Sequence, residues 1–113
     1  MSIRRVVPDL PAGDPAAAAR FYTELLGFEL VMDQGWVVTV ASPANPTAQV
    51  TLVRPEGLQP ELSIEVEDVD AVHAAAQERG EEIVYPLTDE PWGVRRFFVR
   101  DPAGHVVNVV SHR

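Results

Sequence analysis

Residues 91–110 read PWGVRRFFVRDPAGHVVNVV, and this stretch decides the predicted fold. Two runs of apolar, β-branched and aromatic residues flank Asp101-Pro102-Ala103-Gly104. Proline sets φ at the second position of a turn, and glycine accepts the positive φ that closes the loop. The pattern therefore predicts a β-hairpin. Because strand side chains alternate, Phe97 and Val99 are expected on one face of it and Phe98 on the other.

Asn108 is the only polar residue in the run from Val106 to Val110. Two interpretations are open at this point. In the first, Asn108 lies on the solvated face of an edge strand, where a polar side chain is ordinary. In the second, it marks the place where the last strand takes part in a binding site.

The same order of elements is predicted twice along the chain. Asp14 and Asp68 each cap a helix, and Gly27 and Gly80 each follow one. Apolar residues at helical spacing predict one buried stripe in each helix, formed by Ala18, Phe21, Tyr22, Leu25 and Leu26 in the first and by Val69, Val72, His73 and Ala76 in the second. The predicted strands are Ile3–Val7, Phe28–Met32, Trp36–Ala41, Gln49–Val53, Leu62–Val66, Glu82–Tyr85, Arg95–Arg100 and Val106–Ser111.

This repetition predicts an α+β fold in which two tandem βαβββ units form curved mixed sheets around a cleft. We expect a single domain over residues 1–113. Its internal repeat covers residues 1–54 and 61–113, and the Pro- and Gly-containing residues 55–60 form the linker.

Composition limits the possible functions. With 46% hydrophobic and 23% charged residues, the chain has enough apolar surface for a folded core. It has no cysteine, which excludes disulfides, thiolate metal ligands and cysteine nucleophiles. The formal net charge of −8 opposes binding to nucleic acid. No apolar run reaches the roughly 20 residues of a membrane span, so a soluble, cytoplasmic protein without nucleic-acid or membrane partners is expected.

The chain is similar to the vicinal oxygen chelate superfamily, which contains glyoxalases, bleomycin-resistance proteins and extradiol dioxygenases. The resemblance spans almost the whole chain and rests on four stretches: Asp14 through Arg20-Phe21-Tyr22 to Leu25-Leu26-Gly27-Phe28, Ser63 to Asp70, Pro91-Trp92-Gly93, and Phe98 to His105. It implies the glyoxalase/bleomycin-resistance fold. It is a weaker guide to function, because this fold hosts lyases, dioxygenases, thiol transferases and drug-binding proteins.

Metal-dependent members of the superfamily carry one ligand on the first and one on the last strand of each unit. The resemblance places these four positions at Val7, Thr51, Glu61 and Asn108. Only Glu61 is a strong ligand, and Asp9 is the only additional acidic residue near the first position. One carboxylate does not hold Zn, Fe or Ni. His73, His105 and His112 are expected to be structural or solvated. We therefore expect no metal, no cofactor and no catalytic residue.

The departure from the metal-dependent pattern favours the metal-free branch, which includes drug-sequestering proteins of the bleomycin-resistance type. The resemblance implies a homodimer with grooves at its interface. The strands expected at this interface are those that carry Val38, Val40, Val106 and Val110. The predicted ligand is a small, aromatic and possibly cationic molecule. Its predicted site consists of the rings of Trp36, Trp92 and Phe98, the counter-charge of Glu61, and the polar groups of Asn108 and Thr51. The alternative is a metal-dependent enzyme of the same superfamily: a glyoxalase or other lyase, a dioxygenase or a thiol transferase.

Overall fold

The computed structural model of the protein describes residues 2–112, and its elements follow the predicted order. The first half contains β1 (Ile3–Pro11), α1 (Pro15–Arg20), a π-helical turn (Phe21–Leu25), β2 (Glu29–Asp33), β3 (Val37–Ala41) and β4 (Gln49–Val53). The second half contains β5 (Leu62–Val66), α2 (Val69–Arg79), β6 (Glu82–Glu90), β7 (Val94–Arg100) and β8 (Val106–His112). The predicted α+β fold of two βαβββ units is confirmed.

The chain forms two compact units. The first unit comprises Val7–Gln59. The second unit comprises the described part of residues 60–113 together with that of residues 1–6. The boundary at Gln59 falls within the segment expected to be a linker, whereas the opening residues of β1 group with the second half of the chain.

In the first unit the strand order is β2-β3-β4-β1, with β1 parallel to β4 and the other pairs antiparallel. Helix α1 covers one face, where Ala19 packs with Val38, Val40 and Leu52. Val38 and Val40 are completely buried in this core. Because strand side chains alternate, the opposite face of β3 carries Thr39 instead.

The predicted apolar stripe of the first helix is only partly correct. Asp14 caps α1 by accepting a hydrogen bond of 3.1 Å from the Ala17 amide, as expected. The α-helix ends at Arg20, however, and a π-helical turn follows. The wider turn changes the angle between successive side chains, so Phe21, Leu25 and Leu26 are more than half exposed instead of buried.

Two strands are longer than predicted because prolines do not end them. β1 continues through Pro8 to Pro11, and pairing with β4 begins at Asp9. β6 continues through Pro86 to Glu90 with two register shifts. β6 is the last strand in its sheet, and a proline at such an edge interrupts no hydrogen-bond ladder on its open side.

In the second unit the strand order is β5-β8-β7-β6, and α2 covers one face of the sheet. The predicted stripe of this helix is confirmed, because Val69 and Ala76 are buried against Phe97 and Val109. The His73 ring packs edge-on against Phe97 at 4.9 Å between centroids. β8 lies between β5 and β7, and Asn108 is only 7% exposed. Asn108 is therefore not on the solvated face of an edge strand.

Within residues 2–112, neither helix has the length and apolar character that crossing a membrane requires.

Candidate functional site

Trp92 lies at the tip of the hairpin formed by β6 and β7. Pro91, Trp92 and Gly93 form the turn, which is closed by a 3.1 Å hydrogen bond from the Gly93 amide to the Glu90 carbonyl. Gly93 has a φ of 91°, a conformation that costs little only for glycine. The turn leaves the Trp92 side chain 59% exposed.

The two faces of β7 have different surroundings. Phe97 packs beneath α2, whereas Arg96 and Phe98 lie on the face that α2 does not cover. The register aligns a row of side chains across this helix-free face, in the order Ser63, Asn108, Phe98 and Tyr85.

Arg96 is surrounded by three aromatic rings. Its guanidinium carbon lies 4.9 Å from the centroid of Phe98, 5.1 Å from that of Trp92 and 5.4 Å from that of Tyr85. The rings of Tyr85 and Phe98 are themselves in contact, with centroids 4.8 Å apart. We refer to Tyr85, Trp92 and Phe98 as the Arg96 cage. Phe98 is almost completely buried, so Trp92 is the ring with the most surface available to a ligand.

Glu90 fixes the cation inside the cage. Its Oε2 atom accepts hydrogen bonds from Arg96 Nε at 2.8 Å and from the Tyr85 hydroxyl at 3.0 Å, and it forms an ion pair with Arg96 Nη2 at 2.7 Å. The Glu90 side chain is 9% exposed and that of Arg96 is 23% exposed. Charge-assisted hydrogen bonds with little access to water are stronger than surface ones, so the guanidinium is held in one position.

Asn108 has an unsatisfied polar atom beside the cage. Its Nδ2 donates to Ser63 Oγ at 3.0 Å, but its Oδ1 is buried and has no hydrogen-bond partner in the described part of the chain. An orphaned buried acceptor costs about 1–3 kcal/mol. Such a cost is expected where a ligand or a water supplies the missing donor.

The first unit carries a separate polar row on its helix-free face. Asp9 on β1 is opposite Thr51 on β4, and Thr51 is opposite Thr39 on β3. The hydroxyls of Thr39 and Thr51 share a hydrogen bond of 2.8 Å. Asp9, and not Val7, is therefore the residue of β1 that lies beside Thr51. In the second unit, Ser63, and not Glu61, lies beside Asn108.

Glu61 lies just before β5 and has a partner of its own. Its Oε2 atom is 2.7 Å from Nδ1 of His105, and both side chains are exposed. The hydrogen bond to Glu61 is the main cause that raises the pKa of His105, and the nearby charges of Asp101 and Glu61 raise it further. Glu61 therefore has a partner within the protein, and its role as the counter-charge of a ligand stays a prediction.

Neither polar row offers a donor set that fits a transition-metal ion, and of the four positions assigned by resemblance only Glu61, which is bonded to His105, is a strong ligand. The row in the first unit supplies one carboxylate and a threonine hydroxyl that is already hydrogen-bonded to Thr39. The row in the second unit supplies a serine hydroxyl and an amide that bond to each other. Throughout residues 2–112, no three His, Asp or Glu side chains are grouped as metal ligands. Zn, Fe and Ni require imidazole, thiolate or several carboxylates.

Trp36 lies in the connection between β2 and β3 of the first unit and is 47% exposed. Its backbone is fixed by hydrogen bonds to the Gln34 carbonyl at 3.0 Å and from the Arg54 amide at 2.9 Å. Of the three rings predicted for the site, the second unit thus brings two together, Trp92 and Phe98.

The sequence does not predict a site role for one ring of the cage, Tyr85, for Arg96 itself, or for its partner Glu90. Tyr85 and Arg96 lie in predicted strands, and Glu90 lies beyond the predicted strand Glu82–Tyr85. One indication was available, because strand alternation puts Arg96 on the same face as Phe98. The contribution of Glu90 depends on the extension of β6 past Pro86, which the sequence did not predict.

The model of the Glyoxalase/Bleomycin resistance protein/Dioxygenase superfamily matches residues 2–109. The chain belongs to this superfamily. A relative named "Putative glyoxylase CFP32", from Mycobacterium bovis and from Mycobacterium tuberculosis, is 30% identical over 117 residues. The alignment covers 89% of this chain but 42% of the relative, so the chain spans about two fifths of the length of these proteins.

Solved structures of the superfamily share the fold. A glyoxalase/bleomycin resistance protein/dioxygenase superfamily member from Vibrio splendidus superposes with a TM-score of 0.75 at 20% identity, over 97% of this chain and 99% of the other. The Mn(II)-bound glyoxalase from Novosphingobium aromaticivorans superposes with a TM-score of 0.68 at 23% identity, over 96% of this chain and 38% of the other. At these identities the likeness shows the fold alone.

Proposed function

We propose that this superfamily member is a metal-independent small-molecule binding protein, of the type that sequesters planar drugs in the bleomycin-resistance branch. One observation carries the proposal: three aromatic rings are gathered around a fixed cation on a helix-free sheet face, and one of the rings, Trp92, is largely exposed. An exposed ring in a cluster whose Phe98 lies opposite an orphaned buried amide is a costly arrangement for a surface that binds nothing.

The cage favours a flat ligand. The exposed face of Trp92 offers stacking worth about 0.5–1.5 kcal/mol beyond the apolar area that it covers. The Glu90–Arg96 pair and the Tyr85 hydroxyl hold the neighbouring groups in place before the ligand arrives. Because little side-chain freedom is lost on binding, such a prearranged site binds more tightly than a mobile one.

Metal independence is part of the proposal and rests on donor chemistry. The two polar rows offer one carboxylate, hydroxyls that are already hydrogen-bonded and an amide, while Glu61 is bonded to the exposed His105 and no third His, Asp or Glu joins them within residues 2–112. Weak neutral oxygens of this kind do not supply the three or four ligands that a catalytic transition-metal site needs.

An enzyme of the same superfamily is the second candidate. It is favoured by the position of Asp9, which is 9% exposed and lies on the first strand of its unit in register with Thr51. The name of the mycobacterial relatives points in the same direction. In this alternative the chain is a glyoxalase or other lyase, a dioxygenase or a thiol transferase.

Calorimetric titration with bleomycin and with flat aromatic compounds tests the proposed binding function. We expect Trp92→Ala to weaken binding by about 1–3 kcal/mol while the protein stays folded. Phe21→Ala is the matched control, since Phe21 is exposed to a similar extent but lies outside the cage. Trp36 remains a predicted stacking ring, and Trp36→Ala in the same titration tests it.

A turnover assay with the hemithioacetal of glutathione, run with added Mn, Zn or Ni, separates the two candidates. Binding that depends on Trp92, without turnover, supports the sequestering protein. Turnover that requires metal and is lost in Asp9→Asn would reject the binding-protein hypothesis in favour of the enzyme.

A further inference from the structure

We propose that the Arg96 cage selects planar ligands that carry a carboxylate or a similar planar anion, with the free edge of the Arg96 guanidinium as the anchor. This inference rests on the proposed binding function and deepens it by naming the chemical class of the ligand. It differs from the sequence-based expectation of a cationic ligand.

The Arg96 guanidinium already occupies the space between the three rings where a ligand cation would bind. The guanidinium lies 4.9–5.4 Å from all three ring centroids. It is also bonded to Glu90, whose side chain is 9% exposed. A ligand cation would have to displace this guanidinium and break its hydrogen bonds to Glu90, or bind next to a like charge. Both alternatives are unfavourable.

Arg96 keeps unused donors for an anion. The hydrogen bond from Nε and the ion-pair contact of Nη2 both converge on one oxygen of Glu90. Across residues 2–112, Nη1 of Arg96 has no hydrogen-bond acceptor. A planar carboxylate matches the edge formed by Nη1 and the second hydrogen of Nη2, in the paired geometry that arginine favours. The side chain is 23% exposed, so this edge is not sealed from solvent.

The orphaned amide of Asn108 adds a second polar contact on the same face. Asn108 is opposite Phe98, and Arg96 is opposite Val110, so Asn108 and Arg96 are diagonal neighbours on paired strands. Diagonal neighbours lie about 7–8 Å apart, a separation that one ring bearing an acid group can span. The Oδ1 atom of Asn108 accepts a hydrogen bond, which an N–H or O–H group of the ligand would donate.

Three probes with one ring system and different charges test the inference: 2-naphthoate, 2-naphthalenemethanol and 2-naphthylmethylammonium. We expect calorimetry to give at least about tenfold tighter binding for 2-naphthoate than for either of the other two. Equal or tighter binding of the ammonium or the alcohol would overturn the selectivity for anions while leaving the planar-ligand site in place. If none of the three binds at millimolar concentration, the proposed function itself fails.

The variant Arg96→Lys tests whether Arg96 is the residue that binds the anionic group of the ligand. Lysine keeps the charge but lacks the planar pair of donors, so the preference for 2-naphthoate over the alcohol should fall at least about fivefold. Arg100→Lys is the matched control, because Arg100 lies on the same strand and face but pairs with Glu82 and the Gly104 carbonyl. An equal loss in both variants, or no loss in either, would overturn the assignment to Arg96. The selectivity of the unaltered protein tests the inference even if Arg96→Lys does not fold.

Discussion

Nη2 of Arg96 lies 2.7 Å from Oε2 of Glu90. The guanidinium packs over the exposed ring of Trp92, whereas the Glu90 side chain is only 9% exposed. The same oxygen accepts the Tyr85 hydroxyl at 3.0 Å. Glu90 therefore connects the end of β6, the middle of β7 and one ring of the cage. We therefore expect changes at Glu90 to affect both stability and the proposed ligand binding.

Glu90→Gln should lower the free energy of unfolding by about 1–3 kcal/mol, because a neutral amide leaves the partly buried Arg96 charge poorly compensated. Urea denaturation monitored by circular dichroism measures the change. Glu82→Gln is the control, since the Glu82–Arg100 pair is on the same strands but Glu82 is 64% exposed. That pair should contribute less than about 1 kcal/mol. Equal losses in the two variants would contradict a special role for Glu90.

Asn108→Leu should change the free energy of unfolding of the free protein by less than about 1 kcal/mol, because removal of the unsatisfied buried acceptor offsets the loss of the hydrogen bond to Ser63. Thr39→Val is the comparison, because Thr39 is also buried but its hydroxyl is bonded to Thr51. It should cost about 1 kcal/mol. Thermal and urea melts report both values. A larger loss for Asn108→Leu than for Thr39→Val would show that the amide is satisfied in solution.

The Glu61 hydrogen bond raises the pKa of His105 above its ordinary value. The pair therefore stabilises the fold fully below the unfolded pKa of about 6.5, and this contribution is lost as the pH rises through the higher folded pKa. An NMR titration of the His105 ring should show the pKa fall towards its ordinary value in Glu61→Gln. An unchanged His105 titration would mean that the pair does not form in solution.

The homodimer remains a prediction, and the first unit offers a surface for it. Five exposed apolar side chains lie on the π-helical turn, just after it and on the edge strand β2: Phe21, Leu25, Leu26, Leu30 and Val31. Leu25→Ser should shift the protein towards the monomer in light scattering at micromolar concentration, because an apolar patch of this kind commonly marks an interface. Leu58→Ser, at an exposed leucine outside this group, should leave the assembly unchanged. A monomer in the unaltered protein would exclude the dimer.

The order of elements could be predicted from local chemistry. Asp14 and Asp68 accept the expected capping hydrogen bonds, and Gly80 closes α2 with a positive φ. The alternation of Phe97 and Phe98 gave the correct faces of β7, because the core requires one face to be apolar. These features depend on a few neighbouring residues, which the sequence shows directly.

The remaining features depend on contacts between distant segments. The partner of Glu61 is His105, 44 residues away, and no local pattern indicates it. The register also places Asp9 beside Thr51 and Ser63 beside Asn108, pairings between distant strands that no local pattern indicates. The π-helical turn after Arg20 could not be predicted either, because helix periodicity assumes a constant 3.6 residues per turn.

The most direct test of metal-independent ligand binding is a calorimetric titration of 2-naphthoate into chelator-treated protein and into the same protein reloaded with Mn, Zn or Ni. We expect less than about one tenth of an equivalent of metal in the purified protein, because the donor set is too weak to retain it. We also expect the same affinity within about twofold before and after reloading, with Trp92→Ala weakening both titrations. Stoichiometric metal, together with binding that is lost on chelation and restored by reloading, would rule out metal-independent binding.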